Sequence, residues 1–456
     1  MNAVYILSGL GLFSLIAEIV NRRRLVFPVV VAGLVAAAWL VVVDWDTSQA
    51  YYHNMLLFDN QAIGFSVVIA LVGLLWFMMA RDYIHTRTEV TDYSALVLFA
   101  LVGAIFMVSY YNMVMLFLGI EILSIALYVL AGSRVKDIHS NEAAIKYLIM
   151  GSFATGFLLF GVALIYGATG SFDLGVIAEA MVSGAGFTGI AYAGILLMLV
   201  GLAFKLSAVP FHFWAPDVYQ GSPLVVTAFM LTIVKAAAIG AFFRLFSVCF
   251  WDVSAQWVDV ALVITLLTLV VGNVTAVFQS NVKRMLAYSG IAHAGYLLIA
   301  VVALDDNAAS SLGYYVAAYS VATLGVFSVL QTVSSDEAPA LISAFNGLGT
   351  TNPFLAFVMT VCLLSLAGIP PLAGFFAKYI IFLPAIQQGY VGLVLVAVVA
   401  SLVGVYYYFQ LIVAMYFRPA SGDYVKASPT AKFLMILLVA LSFLMGVLPG
   451  MFLSEP

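Results

Sequence analysis

The chain has 456 residues, of which 65% are apolar and 8% charged, with 17 Lys and Arg against 21 Asp and Glu. A soluble domain carries about 25% charged residues, so this composition excludes a water-dissolved surface and marks an integral membrane protein. It also excludes a basic face for nucleic acid. The isolated Cys249 and Cys362 offer no paired metal motif or disulfide framework and read as small buried hydrophobes.

About 20 apolar residues cross a bilayer. On that rule the chain is an all-α polytopic membrane protein of about 14 transmembrane helices, at 3–20, 25–43, 61–80, 93–110, 111–131, 143–168, 190–219, 223–247, 257–278, 283–303, 310–333, 353–387, 390–417 and 431–453. Span one has no basic residue ahead of its apolar run, so it is read as retained. At its inner end Glu18 is expected to pair with Arg22, four residues on.

Loop charge supports the count, because cytoplasmic loops carry the Lys and Arg. Arg22 to Arg24, Arg81 with Arg87, Arg134 with Lys136, Lys283 with Arg284, and Arg418 with Lys426 and Lys432 fall on odd loops. The even loops hold Asp44, Asp46, Asp59, Asp173, Glu179, Asp252, Asp259, Asp305 and Asp306, and Arg244 is their one base. Both termini are therefore expected on the outer, periplasmic side of a bacterial inner membrane. The loops leave no room for a nucleotide-binding or redox domain.

Two spans are interrupted. Span seven contains Lys205-Leu206-Ser207-Ala208-Val209-Pro210-Phe211-His212-Phe213-Trp214-Ala215-Pro216-Asp217, and span twelve contains Leu366-Ala367-Gly368-Ile369-Pro370-Pro371 followed by Lys378. The shared order, a leucine, two small residues, a β-branched residue and a proline, equates Leu206 with Leu366. Interrupted helices at matching positions of two halves point to a transport site.

Few ionisable residues remain at depth. Glu121 lies mid-span five, Lys205 in span seven, Lys235 mid-span eight, His293 in span ten and Lys378 beyond the second break, with Lys146 close to the inner end of span six and His212 inside the first break. Each charge costs about 2.5–3.5 kcal/mol at a helix centre, and Lys235 is too deep to snorkel. Low-dielectric burial favours the neutral amine and a nearby carboxylate favours the ammonium. Glu121 beside Lys205 would thus form a proton-loading switch, and His293 a relay. The tyrosines at 406, 407 and 408 either line a water path to the buried amines or pack at a helix interface, with packing the preferred reading, and no ligand spacing makes His212 and His293 a metal site.

The run Lys205 to Pro223, with Pro-Asp-Val-Tyr-Gln-Gly-Ser-Pro at 216–223, resembles the span-seven signature of the subunit N family of proton-pumping NADH:quinone oxidoreductase, respiratory complex I. Similar matches are Gly119 to Ser124, Asn141 to Tyr147, the Lys-Arg-Met-Leu-Ala-Tyr-Ser run at 283–289, and Gly368 to Phe375. The wider family includes subunits of Mrp-type Na+/H+ antiporters and membrane-bound hydrogenases.

The resemblance implies two inverted five-helix repeats, spans 4–8 (93–247) and 9–13 (257–417), flanked by helices 1–3 (1–92) and helix 14 (431–456). It implies Glu121 as modulating acid, Lys205 as pumping lysine, Lys235 as connecting lysine and Lys378 as terminal lysine, with Lys146 and His293 on the same axis. The second copy has no acid at the depth of Glu121, so a switching partner for Lys378 must come from elsewhere or from a neighbouring subunit. The expected function is proton translocation coupled to quinone reduction elsewhere. This chain is expected to hold no cofactor, with NADH, FMN, iron-sulfur clusters and quinone in partner subunits. Neighbouring antiporter-like subunits are the expected partners. Two alternatives stand beside this: an H+/Na+ antiporter subunit, and a scaffold whose buried charges only orient helices.

Overall fold

The computed structural model describes residues 1–85, 90–183, 188–305, 307–334, 340–420 and 426–452. Arg87 and Asp306 lie outside the described residues. Thirteen helices among the described residues are long and apolar enough to cross a membrane. Two shorter apolar helices, Pro353–Ala367 and Ala373–Gln387, together make one further crossing, the broken span twelve. Span seven is Gly189–Leu206 followed by the short helix Trp214–Gly221.

Contacts between loops fix their sides. Arg244, at the end of span eight, pairs with Asp59, ahead of span three. Loop four meets loop two through Leu56 and Tyr110, and loop six through Asn112 and Asp173. On the opposite face Arg81 meets Thr430, and Asn281 bridges Leu341. Even loops thus touch even loops and odd loops touch odd ones, the arrangement that alternating crossings require.

Several elements depart from the expected spans. Span six is the 32-residue helix Ile138–Thr169, about 48 Å long at 1.5 Å per residue, so it outruns a hydrocarbon core of about 30 Å. Loop two folds as a hairpin of Gln49–Tyr51 with Leu56–Phe58, and loop six carries the helix Leu174–Val182. Span one ends at Ile19 and the chain turns through Asn21 at φ 54°, which destroys the four-residue spacing to Arg22. Glu18 pairs with Arg23 instead and accepts from Thr91 Oγ1 at 2.6 Å.

Burial is graded across the bundle. In helix Leu224–Val248 every residue from Leu224 to Phe246 is buried, whereas helices Ile138–Thr169 and Pro429–Val447 bury about a third of theirs or less. Lys235 sits in the middle of that buried stretch, so its amine has no path to water along its own helix face.

Candidate functional site

Both breaks close with the same backbone geometry. Ser207 at φ 62° and Gly368 at φ 86° take the left-handed conformation that ends a helix. Ser207 N–H donates to Phe204 O at 2.9 Å and Ala208 N–H to Ala203 O at 2.8 Å; Gly368 N–H donates to Ser365 O and Ile369 N–H to Leu364 O, both at 3.0 Å. The equivalent pairs are therefore Ser207 with Gly368 and Leu206 with Ala367, one residue away from the alignment that the shared leucine suggested. The reason is conformational: the left-handed position, and not the leucine, sets the register. Val209-Pro210 and Pro370-Pro371 are both cis peptide bonds.

This register exposes a shared feature. A helix that stops in mid-membrane leaves its last carbonyls free and carries partial negative charge there, which suits a cation. Lys235 Nζ lies 3.4 Å from the Leu206 carbonyl, and Lys378 Nζ donates to the Ala367 carbonyl at 2.8 Å. Each break thus presents the carbonyl of its last helical residue to a buried lysine.

The remaining partners are neutral. Lys235 also donates to Gly290 O at 2.5 Å, and a π-helical turn, Met230–Val234, immediately precedes it. Such turns cluster at functional positions in helices. Lys378 also donates to Ser401 Oγ at 2.7 Å and lies 4.8 Å from the Tyr296 ring centre. Among the described residues Lys378 makes no ion pair.

Lys205 does not pair with Glu121. Its ammonium donates to Ser124 Oγ at 2.6 Å and faces the Tyr147 ring at 5.8 Å. Glu121, one turn before Ser124 on helix Met113–Ala131, is partly exposed. The hydroxyl thus occupies the place in which the carboxylate was expected. A cavity of about 10 Å³, room for one water, lies between Ser124, Thr155 and Lys205.

His293 is bound through both ring nitrogens. Nδ1 meets Tyr315 OH at 2.7 Å, and Nε2 faces Tyr408 OH at 3.5 Å. Tyr408 OH in turn contacts Ser289 Oγ at 2.5 Å, while Tyr406 is exposed. The three consecutive tyrosines therefore do different things, and Tyr408 is more than packing. A second cavity of about 10 Å³ borders His293, Tyr315, Tyr319 and Ser365.

Lys205, Lys235, His293 and Lys378 make a row. Leu206, which follows Lys205, accepts from Lys235, and Gly290, which also accepts from Lys235, lies one turn before His293. His293 packs against Tyr296 at 5.7 Å between ring centres, and Tyr296 lies under Lys378. His212 is buried in the first break with Nδ1 unpartnered among the described residues, and it is not joined to this row. Lys146 is also apart: it is part-exposed and pairs with Glu142 at 2.7 Å and Asp217 at 2.9 Å. Sequence reasoning missed Ser124, Tyr315, Ser401 and Asp217. Only Asp217 left a signal, a carboxylate inside an interrupted apolar span.

Known proteins resemble the chain along its whole length. NADH-quinone oxidoreductase subunit N of Cytophaga hutchinsonii is 44% identical over 99% of this chain and 98% of the relative. A chain of respiratory complex I from Thermus thermophilus superposes with a TM-score of 0.86 at 34% identity, covering 98% of this chain and 97% of that one. A chain of the Mrp complex from Dietzia shares the fold alone, with a TM-score of 0.87 at 20% identity over 98% of this chain and 94% of that one. Residues 111–404, which contain both breaks and every member of the row, match the NADH:quinone oxidoreductase/Mrp antiporter transmembrane family, and the chain belongs to that family.

Proposed function

We propose that the chain is the proton-conducting subunit N of a bacterial NADH:quinone oxidoreductase, powered by quinone reduction in partner subunits. The observation that carries this reading is the row itself: three buried amines and an imidazole, each resting on neutral oxygens. A purely structural charge would be expected to meet a counter-ion, because an unpaired buried charge is costly. An amine held by carbonyls and hydroxyls is stable enough to be protonated and free enough to lose its proton.

In this reading Glu121 modulates the charge on Lys205 from a turn away, Ser124 and its cavity carry the proton contact, and Lys235 links Lys205 to His293 and Lys378. Lys146 serves the first half from its inner end. The matching break geometry supports two inverted repeats, over 93–247 and 257–417, with helices 1–3 (1–92) before them and helix 14 (431–456) after. The excess of base on odd loops supports an inner-membrane orientation with both termini periplasmic. The redox cofactors belong, in this reading, to partner subunits, and neighbouring antiporter-like subunits flank the chain. Greater identity to the oxidoreductase relatives than to the Mrp chain supports this function over H+/Na+ antiport.

Lys235→Ala, in the assembled complex in membrane vesicles, tests the reading. Proton translocation is expected to fall at least tenfold with complex content unchanged. Full translocation with normal assembly would sink it and leave the scaffold alternative.

A further inference from the structure

Two of the sequence motifs, at 216–223 and at 283–289, have no part in the row of buried groups, yet they meet. Asp217 receives a different cation on each carboxylate oxygen: Lys146 Nζ on Oδ2 at 2.9 Å and Arg284 Nη1 on Oδ1 at 2.8 Å. Arg284 Nη1 also donates to Gln220 Oε1 at 3.0 Å, and Lys283 Nζ donates to Ser222 O at 2.6 Å. One carboxylate thus joins three helices: Ile138–Thr169, Trp214–Gly221 and Val282–Ala303.

Two of those helices build a ring stack beside Lys205, and one of its rings, Tyr147, faces the ammonium. Tyr147, next to Lys146, stacks on Trp214 at 4.8 Å and 8° between planes. Trp214, one turn before Asp217, stacks on Phe204 at 5.2 Å, and its Nε1 donates to Phe204 O at 3.2 Å. The Lys205 ammonium, next to Phe204 in the chain, lies over the Tyr147 ring at 5.8 Å. The third helix carries Gly290 and His293. We infer that Asp217 is a positioning residue for proton transfer, holding the Tyr147–Trp214 stack against Lys205 and fixing that stack relative to the helix of Gly290 and His293.

The alternative for such a cluster is a solvated surface network. Part-exposed ion pairs contribute little to folding, so a network with only that role would be replaceable without functional loss. A geometric role is different. Asparagine keeps the size of Asp217 but has one acceptor oxygen, and it cannot hold Lys146 and Arg284 at once through two acceptors. Glutamate keeps both acceptors.

The inference rests on the reading of Lys205 as a proton carrier, and the experiment separates the two. In the assembled complex in inverted vesicles, Asp217→Asn is expected to lower NADH-driven proton translocation five- to tenfold at normal complex content, and Asp217→Glu to restore at least half of it. Lys146→Gln and Arg284→Gln, which each remove one arm, are expected to fall between. Normal translocation in Asp217→Asn with loss in Lys205→Ala overturns the positioning role alone. Normal translocation in both overturns the proton-carrier reading as well. Failure of Asp217→Glu to rescue, or wild-type rates in both single-arm variants, also overturns the positioning role. If Asp217→Asn does not assemble, the single-arm variants decide.

Discussion

Lys235 donates to the carbonyl of Gly290 at 2.5 Å, from the buried stretch of span eight to the helix of span ten, one turn before His293. The link joins spans eight and ten through a main-chain oxygen, which no side-chain substitution at position 290 would remove. A Cβ at Gly290 would lie 2.5 Å from Leu231 Cδ2, so the glycine makes room for Leu231, one turn before the lysine, while at 3.5 Å from Lys235 Cε it would be in ordinary contact.

Lys235→Arg separates a fixed charge from a proton carrier. Arginine stays protonated in proteins, so a helix-orienting charge would survive the change. Assembly is expected to persist while proton translocation falls at least tenfold, read as fluorescence quenching of a ΔpH dye in vesicles.

Ser124→Ala removes the direct partner of Lys205 and leaves a buried ammonium short of one acceptor. A hydrogen bond to a charged group contributes about 1.5–3 kcal/mol, which corresponds to roughly tenfold or more in a rate that depends on it. Glu121→Gln, which acts over a longer range, is expected to have a smaller effect on turnover than Ser124→Ala. Steady-state quinone reduction coupled to proton uptake checks the order.

Tyr315→Phe deletes the close partner of His293 Nδ1, whereas Tyr408→Phe deletes one at 3.5 Å. The first is expected to lower translocation several-fold and the second less. Equal effects would show that the imidazole does not depend on Nδ1.

Gly374→Ala probes the second break through packing. A Cβ there would stand 1.7 Å from the Ser365 carbonyl, a backbone atom that cannot rotate away. Overpacking costs about 1–3 kcal/mol or more, so the variant is expected to lose complex content on native gels. The contrasting Gly392→Ala, with open space around it, is expected to assemble normally.

The crossings, the grouping of odd and of even loops on opposite faces, the places of both breaks and the buried amines were legible in the sequence. The reason is energetic: apolar length, basic loops and ionisable residues at depth are large free-energy terms that few residue types satisfy. What the amines touch was decided by the tertiary structure. Leu206, Gly290 and Ala367 act through carbonyls that every residue possesses, and Ser124 and Ser401 through hydroxyls common in any helix. Ser207 and Gly368 set the break register through a dihedral angle, and Asp217 meets Lys146 and Arg284 only because three distant segments converge. Composition and position thus determined that charges enter the membrane and roughly how deep, whereas distance and direction between helices, which a linear pattern does not encode, determined their partners.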